Sequence, residues 1–308
     1  MRNAYIQTVC GRISPAELGH CQVHEHIFVR PTPMAKSNPA LCFCDYTLSL
    51  EELRAYKAAG GCAIGDAQPV FAGRSADALY QLSRESGVSI IASTGFHLDG
   101  FYNGEEFFRS EDKLFDHFCR ELTEGMDGSA AKAGMVKAAI PREGAVGHYR
   151  TALTAAAGAA AQCGAALMLH TEAGENAENA VELCCRAGLE SGRILLCHAD
   201  RDAKNIARHK ALAAMGVYME YDTIGRFKYH GDDEEINLIG EMLAAGYGDK
   251  LLLSLDTTRA RLGAYGGDIS LTYILDSFLP RLEKAGVSSA AIRKMTVDNP
   301  AAALSRCR

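Results

Sequence analysis

Short apolar runs alternate with amphipathic stretches along most of the chain. The runs lie at residues 22–29, 62–64, 88–93, 134–140, 165–170, 192–198, 217–222 and 250–256. Several are apolar almost throughout, such as Val88-Ser89-Ile90-Ile91-Ala92, which is the signature of strands buried on both faces. Between them, apolar residues recur at helical spacing. Helices are expected from a cap at Ser49 to residue 59, over 75–86, over 105–123, through the alanine-rich 152–161, and over 176–187. Further helices end near 215, run over 233–245, and cover 273–284 and 289–295, with Asn299-Pro300 opening the tail. Strand and helix alternating eight times predict a parallel sheet with crossover helices, and eight units are the count of a closed (β/α)8 TIM barrel. The alternative is an open doubly wound sheet, weakened by the lack of a Gly-x-Gly-x-x-Gly after the first strand. Neither a repeat nor a low-complexity linker divides the chain, so residues 1–308 are expected to form a single domain.

The chain has 308 residues, 48% hydrophobic and 23% charged, within the range of soluble globular proteins. A net charge of -6 argues against a nucleic-acid partner. No run is apolar and long enough to span a membrane, and the alanine-rich stretch reads better as a buried helix. The 11 cysteines are odd in number, and the first residues resemble no secretory signal. Disulfides are therefore not expected, and a cytoplasmic location fits. Cys42/Cys44 and Cys184/Cys185 lack a second pair at zinc-ribbon spacing and read as structural or incidental.

Polar residues interrupt the apolar runs at particular places. His24 and His26 lie two apart in the first run, where strand alternation puts them on one face and Glu25 on the other. Lys137 lies within the fourth run. His170 ends the fifth, His198 the sixth and Asp256 the eighth. Each alone has an ordinary reading: a satisfied core histidine, a helix cap, a salt-bridged lysine. Together they would converge on the C-terminal mouth of a barrel, where buried polar groups need partners and divalent metals supply them.

These residues sit in a set of motifs: Val23-His24-Glu25-His26, Val136-Lys137, Leu169-His170-Thr171, Cys197-His198-Ala199-Asp200, Tyr221-Asp222-Thr223-Ile224-Gly225, Ser254-Leu255-Asp256 and Val297-Asp298-Asn299-Pro300. The set resembles the phosphotriesterase family of the amidohydrolase superfamily, in particular its phosphotriesterase-homology branch, over nearly the whole chain. The resemblance implies a metal-dependent hydrolase with two divalent metals, commonly zinc, bridged by a hydroxide. By it, His24, His26 and Asp256 would hold the more buried metal, and His170 and His198 the more exposed one. Lys137 would bridge both as a carbamate, although some members of the branch carry glutamate there. Asp256 would be the catalytic residue, orienting the hydroxide and taking its proton. Relatives are often dimers, which makes a homodimer an expectation here.

The substrate is a small molecule that fold and metals do not choose, since relatives hydrolyse phosphotriesters, lactones and other carboxyl esters on one scaffold. Arg201, Arg226 and Arg259 each follow a strand end and are expected to face the mouth, where planar guanidinium forks suit phosphate or carboxylate. Lys228 is a weaker fourth candidate. His97 and Tyr102, on the loop after the third strand, are candidate contacts to the ring or the leaving oxygen. The loop after Asp256 is short and basic, unsuited to a long acyl chain. Some relatives act on phosphorylated sugar lactones, and the expectation is a lactonase for a small anionic, phosphorylated sugar lactone. A phosphoesterase, another carboxylic ester or amide hydrolase, and a binding protein without turnover are the alternatives.

Overall fold

The computed structural model describes residues 4–102 and 110–307. Two short strands, β1 (Ala4–Thr8) and β2 (Gly11–Ile13), form an antiparallel hairpin ahead of the expected alternation. Then come β3 (Cys21–Glu25), α1 (Tyr46–Ala58), β4 (Ala63–Asp66), α2 (Ala76–Ser86), β5 (Ser89–Gly95) and α3 (Glu111–Thr123). They are followed by β6 (Met135–Ala139), α4 (His148–Cys163), β7 (Ala166–His170), α5 (Ala177–Arg186), β8 (Ile194–Leu196) and α6 (Ile206–Ala214). The last elements are β9 (Tyr218–Tyr221), α7 (Asp232–Ala244), β10 (Leu251–Leu253), α8 (Leu279–Lys284), α9 (Ser289–Arg293), α10 (Asn299–Leu304) and β11 (Arg306–Cys307).

Strands β3 to β10 pair in sequence order as an eight-stranded parallel sheet that curls into a (β/α)8 barrel. The seam between β10 and β3 is closed largely by residues just past β10. The Asp256 N–H donates to the His24 carbonyl at 3.0 Å, and the His24 N–H donates to Ser254 Oγ at 3.0 Å. Glu25 completes the seam by accepting the N–H of Leu255 at 2.8 Å and of Thr257 at 3.2 Å. This gives a task to a carboxylate that stands without one in the first apolar run. Strand alternation divides the core into two layers. Val136, Leu167 and Leu169 pack outward under the helices, while Met135, Met168 and Leu195 fill the barrel. Lys137 follows Met135 by two residues and therefore also points inward.

Several boundaries differ from expectation. The cap of α1 is Asp45, whose side chain accepts the N–H of Thr47 and Leu48 at 2.9 and 3.1 Å. Ser49 instead lies inside the helix, and its hydroxyl donates to the Ile27 carbonyl at 2.7 Å. The helix expected over 105–123 is observed as α3; residues 105–109 lie outside the described residues. Asn299 and Pro300 do not open a tail but start α10, where a first-turn proline costs no hydrogen bond. β1 and β11, absent from the expected alternation, pair with each other at the foot of the barrel; two to five residues with little alternation carry no readable signal. β8 and β10 are only three residues long, so His198 and Asp256 lie beyond their strands. Both adopt left-handed backbone, at φ 60° and 49°, a conformation that non-glycine residues hold only when the surroundings impose it. Among the described residues, no helix is long and apolar enough to cross a membrane.

Candidate metal centre

The barrel brings His24, His26, Lys137, His170, His198 and Asp256 to one mouth. His24 Nε2 stands 3.2 Å from Lys137 Nζ and 3.7 Å from Asp256 Oδ1. His26 Nε2 stands 3.4 Å from the same Asp256 oxygen. One ligand atom from each of His24, His26 and Asp256 lies within 4.8 Å of the other two. On the other side, His170 Nδ1 and His198 Nε2 are 2.9 Å apart. The six sequence candidates thus form two adjoining groups, with Lys137 beside the first.

A carboxylate hub lies behind the rings. Asp222 takes His24 Nδ1 at 2.9 Å on one oxygen and His198 Nδ1 at 2.7 Å on the other. Glu220 also meets His24 Nδ1 at 2.9 Å. Burial opposes the charge of Asp222, yet the two imidazoles override it and hold the carboxyl well below the usual range. Giving each Nδ1–H to a carboxylate fixes the tautomer and leaves the Nε2 lone pair facing the mouth. In the sequence Asp222 is visible only as part of a motif, without a role, and nothing there points to Glu220 or Glu172. Glu172 Oε1 lies 3.2 Å from His170 Nε2. Burial pushes His170 down to about 4, so its ring is neutral at pH 7. For Asp256, burial is overcome chiefly by Arg226 and by His26, and the carboxyl is held well below its ordinary value.

This donor set fits divalent metals. The separations of 2.9–3.7 Å bracket the edge of about 3.3 Å expected between ligands of a tetrahedral zinc. Burial holds His26, His170 and His198 toward the neutral form that ligation requires, and Asp256 is ionised; His24, pushed up against burial by Cys197 and Asp222, must give up a proton when a metal binds.

The mouth opens into a cavity of about 290 Å³ lined by His24, His26, His97, His170, His198 and Asp256, and also by Glu172, Arg201, Arg226 and Tyr229. Arg226 reaches Asp256 Oδ2 at 3.1 Å and Arg201 reaches the same oxygen at 3.5 Å. Arg201 also pairs with Glu172 at 3.3 Å and lies 4.9 Å from the Tyr229 ring centroid. The Nε–H of both arginines is buried without a protein partner. His97 lies at the wall, its ring centroid 4.9 Å from that of His170. The Leu98 N–H donates to His97 Nδ1 at 2.8 Å, which leaves Nε2 to carry the proton in the neutral ring.

Two candidates do not reach the mouth as expected. Arg259 is exposed outside the cavity; its backbone N–H donates to the Ala40 carbonyl at 3.0 Å, which turns the loop away. Tyr102 is buried beneath the wall and accepts the His97 N–H at its hydroxyl, so it bears on the cavity through His97. Lys228 lies in a neighbouring pocket with Arg226 and Arg261, its Nζ 4.6 Å from the Tyr229 ring. Tyr229 itself carries no signal in the sequence.

Known proteins are similar to this chain in sequence and fold. An N-acetyltaurine hydrolase of Tetraodon nigroviridis is 27% identical over 336 residues, covering 96% of each chain. The crystal structure of a lactonase from Listeria monocytogenes superposes with a TM-score of 0.92 at 26% identity, covering 99% of this chain and 100% of that one. The phosphotriesterase homology protein from Escherichia coli, with phosphate in its active site, superposes with a TM-score of 0.88 at 26% identity over 94% and 99% of the two chains. The profile of the Phosphotriesterase family matches residues 4–304. The chain therefore belongs to the phosphotriesterase family, a family of metal-dependent hydrolases, and lies on its phosphotriesterase-homology branch.

Proposed function

We propose that the protein is a binuclear zinc lactonase acting on a small anionic, phosphorylated sugar lactone. The observation that carries the substrate is the convergence of Arg201 and Arg226 on the mouth, each with a buried Nε–H still to be given. A guanidinium fork pairs best with a planar or tetrahedral oxyanion, and a neutral ester would leave these donors unused. The cavity of about 290 Å³ suits a sugar-sized ligand. The phosphate bound in the E. coli relative and the lactonase activity of the Listeria relative support the same reading.

In this reading His24, His26 and Asp256 hold one metal, and His170 and His198 the other. The metal pair, when bound, acidifies water at neutral pH and polarises the scissile carbonyl. Lys137 would join them as an anionic ligand once its amine has added to carbon dioxide and lost a proton to become a carbamate. Its side chain is fully buried, and among the described residues no carboxylate lies within ion-pairing distance of Nζ. A buried ammonium without a counter-ion would be costly beside two metals, whereas a carbamate is the anion they need. Asp256 takes the proton of the attacking water and returns it to the leaving oxygen. His97, neutral and carrying its proton on Nε2, donates to the substrate at the wall. Arg201 and Arg226 bind the phosphate and position the ring. A homodimer and a cytoplasmic location accompany this reading.

An amide is the second reading, favoured by the relative named for N-acetyltaurine. A panel of sugar lactones, esters and amides, each with and without an anionic group, separates the two. Phosphorylated lactones should be turned over fastest, with the advantage lost in Arg226→Ala and in Arg201→Ala but kept in Arg259→Ala. Faster turnover of acidic amides would replace the substrate while leaving the metal centre in place.

A further inference from the structure

Behind the mouth, between the loops that follow β8 and β9, lies a second group of metal-type donors. Asp200, His230 and Glu235 each present one ligand atom within 4.8 Å of the others. Asp200 and Glu235 are fully buried, and His230 is nearly so. Four carboxylates crowd this spot, since Asp200, Asp222 and Asp232 all bear on Glu235. Two of them are answered: Asp222 by His24 and His198, Asp232 by Arg281 and the Tyr273 hydroxyl at 2.6 Å each. The other two are answered only in part, Asp200 by the Thr223 N–H on one oxygen and Glu235 by the nearby His230 ring. Neither oxygen of Glu235 makes a hydrogen bond, and Asp200 Oδ1 makes none. His230 Nδ1 lies 3.2 Å from the Gly231 carbonyl, which places the proton of the neutral ring on Nδ1. Its Nε2 lone pair then faces Thr223 Oγ1 at 3.2 Å and Glu235 Oε2 at 3.1 Å. Acceptor atoms of an imidazole and two carboxyl groups meet in a dry pocket, where buried polar atoms without partners are costly.

We infer that Asp200, His230 and Glu235 bind a third divalent cation, structural and separate from the pair at the mouth. One imidazole with two carboxylates suits Mn2+ or Zn2+ better than Ca2+, which prefers oxygen throughout. The cation ties the β8 loop to the first turns of α7. The Thr223 N–H already donates to Asp200 Oδ2 at 2.6 Å. A cation on Asp200 and His230 therefore pins both ends of the 223–230 segment, which carries Arg226 and Tyr229 into the cavity.

The test counts metal. Wild type and Glu235→Gln are stripped with chelator, brought to equilibrium by dialysis against micromolar Mn2+, and assayed for manganese per chain. Wild type should hold one equivalent more than Glu235→Gln, whatever number the mouth takes up. A His26→Ala/His170→Ala background, which disables the mouth, should still show that one-equivalent difference. Circular dichroism reports folding; if Glu235→Gln does not fold, His230→Gln is read in the same way. Equal manganese in wild type and variant would overturn the inference and leave His230 and Glu235 as an ordinary buried imidazolium–carboxylate pair.

Discussion

Asp222 shows how one side chain serves several others. It holds the Nδ1 edges of His24 and His198, whose ring centroids lie 5.1 Å apart. Asp222→Asn can still occupy the space, but its amide NH2 cannot accept from a ring N–H. One histidine must then turn or change tautomer. Metal affinity should fall by about 10- to 100-fold, measured by competition with a chromophoric chelator. Arg226→Ala should raise KM for a phosphorylated lactone by about 10- to 100-fold, the worth of a charge-assisted hydrogen bond, and change KM for the bare lactone little. At this scale the candidate ligands that the barrel brings together were legible and their supports were not. A histidine or aspartate closing an apolar run stands out against its neighbours, because burying it unpartnered would be costly. Asp222, Glu220 and Glu172 acquire their roles only through contacts made by folding. Arg259 was misplaced for the related reason that proximity to Asp256 in sequence says nothing about which way a loop turns.

At the scale of elements, the seam is the joint most dependent on a single residue. Glu25 accepts two N–H groups from the segment after β10 and is buried throughout. Glu25→Ala would orphan both donors and open a void, costing about 3–5 kcal/mol by chemical denaturation. It would also displace Asp256, whose backbone is part of the same joint. A second network ties the segment before α2 to α3 and the turn after it: buried Arg74 pairs with buried Glu121 and with exposed Asp127. Burial resists the Glu121 charge, but His117 and Arg74 bring its carboxyl down to about 2 from 4.5. A carboxyl depressed by folding stabilises above its unfolded value and loses that contribution as pH falls toward the folded one. The metal-free protein should therefore lose about 3 kcal/mol from this group between pH 4.5 and 2. The stability gap between wild type and Glu121→Gln, followed by urea melts, should shrink across that window. A gap that stays constant would detach Glu121 from the acid response. The alternation of elements was readable because strands buried on both faces are continuously apolar. Their ends were not, because three-residue strands such as β8 and β10 stop well before the apolar run does.

The whole molecule is a scaffold that collects candidate ligands from β3, β6 and β7 and from the ends of β8 and β10 onto one mouth. Eight strands in sequence order were legible as a barrel, and the order of the candidate ligands along the chain placed them at its C-terminal end. What the substrate is depends on loops whose paths follow from tertiary contacts. If this mouth is a metal centre that hydrolyses an anionic lactone, both metal and phosphate must show in the kinetics. The deciding quantity is kcat/KM for one sugar lactone with and without its phosphate, on enzyme stripped and then reloaded with zinc in bicarbonate. The phosphorylated lactone should be preferred by about 100-fold or more, the combined worth of two charge-assisted contacts, and stripped enzyme should turn over neither. Equal rates on the two lactones, or turnover that survives complete removal of metal, would contradict it.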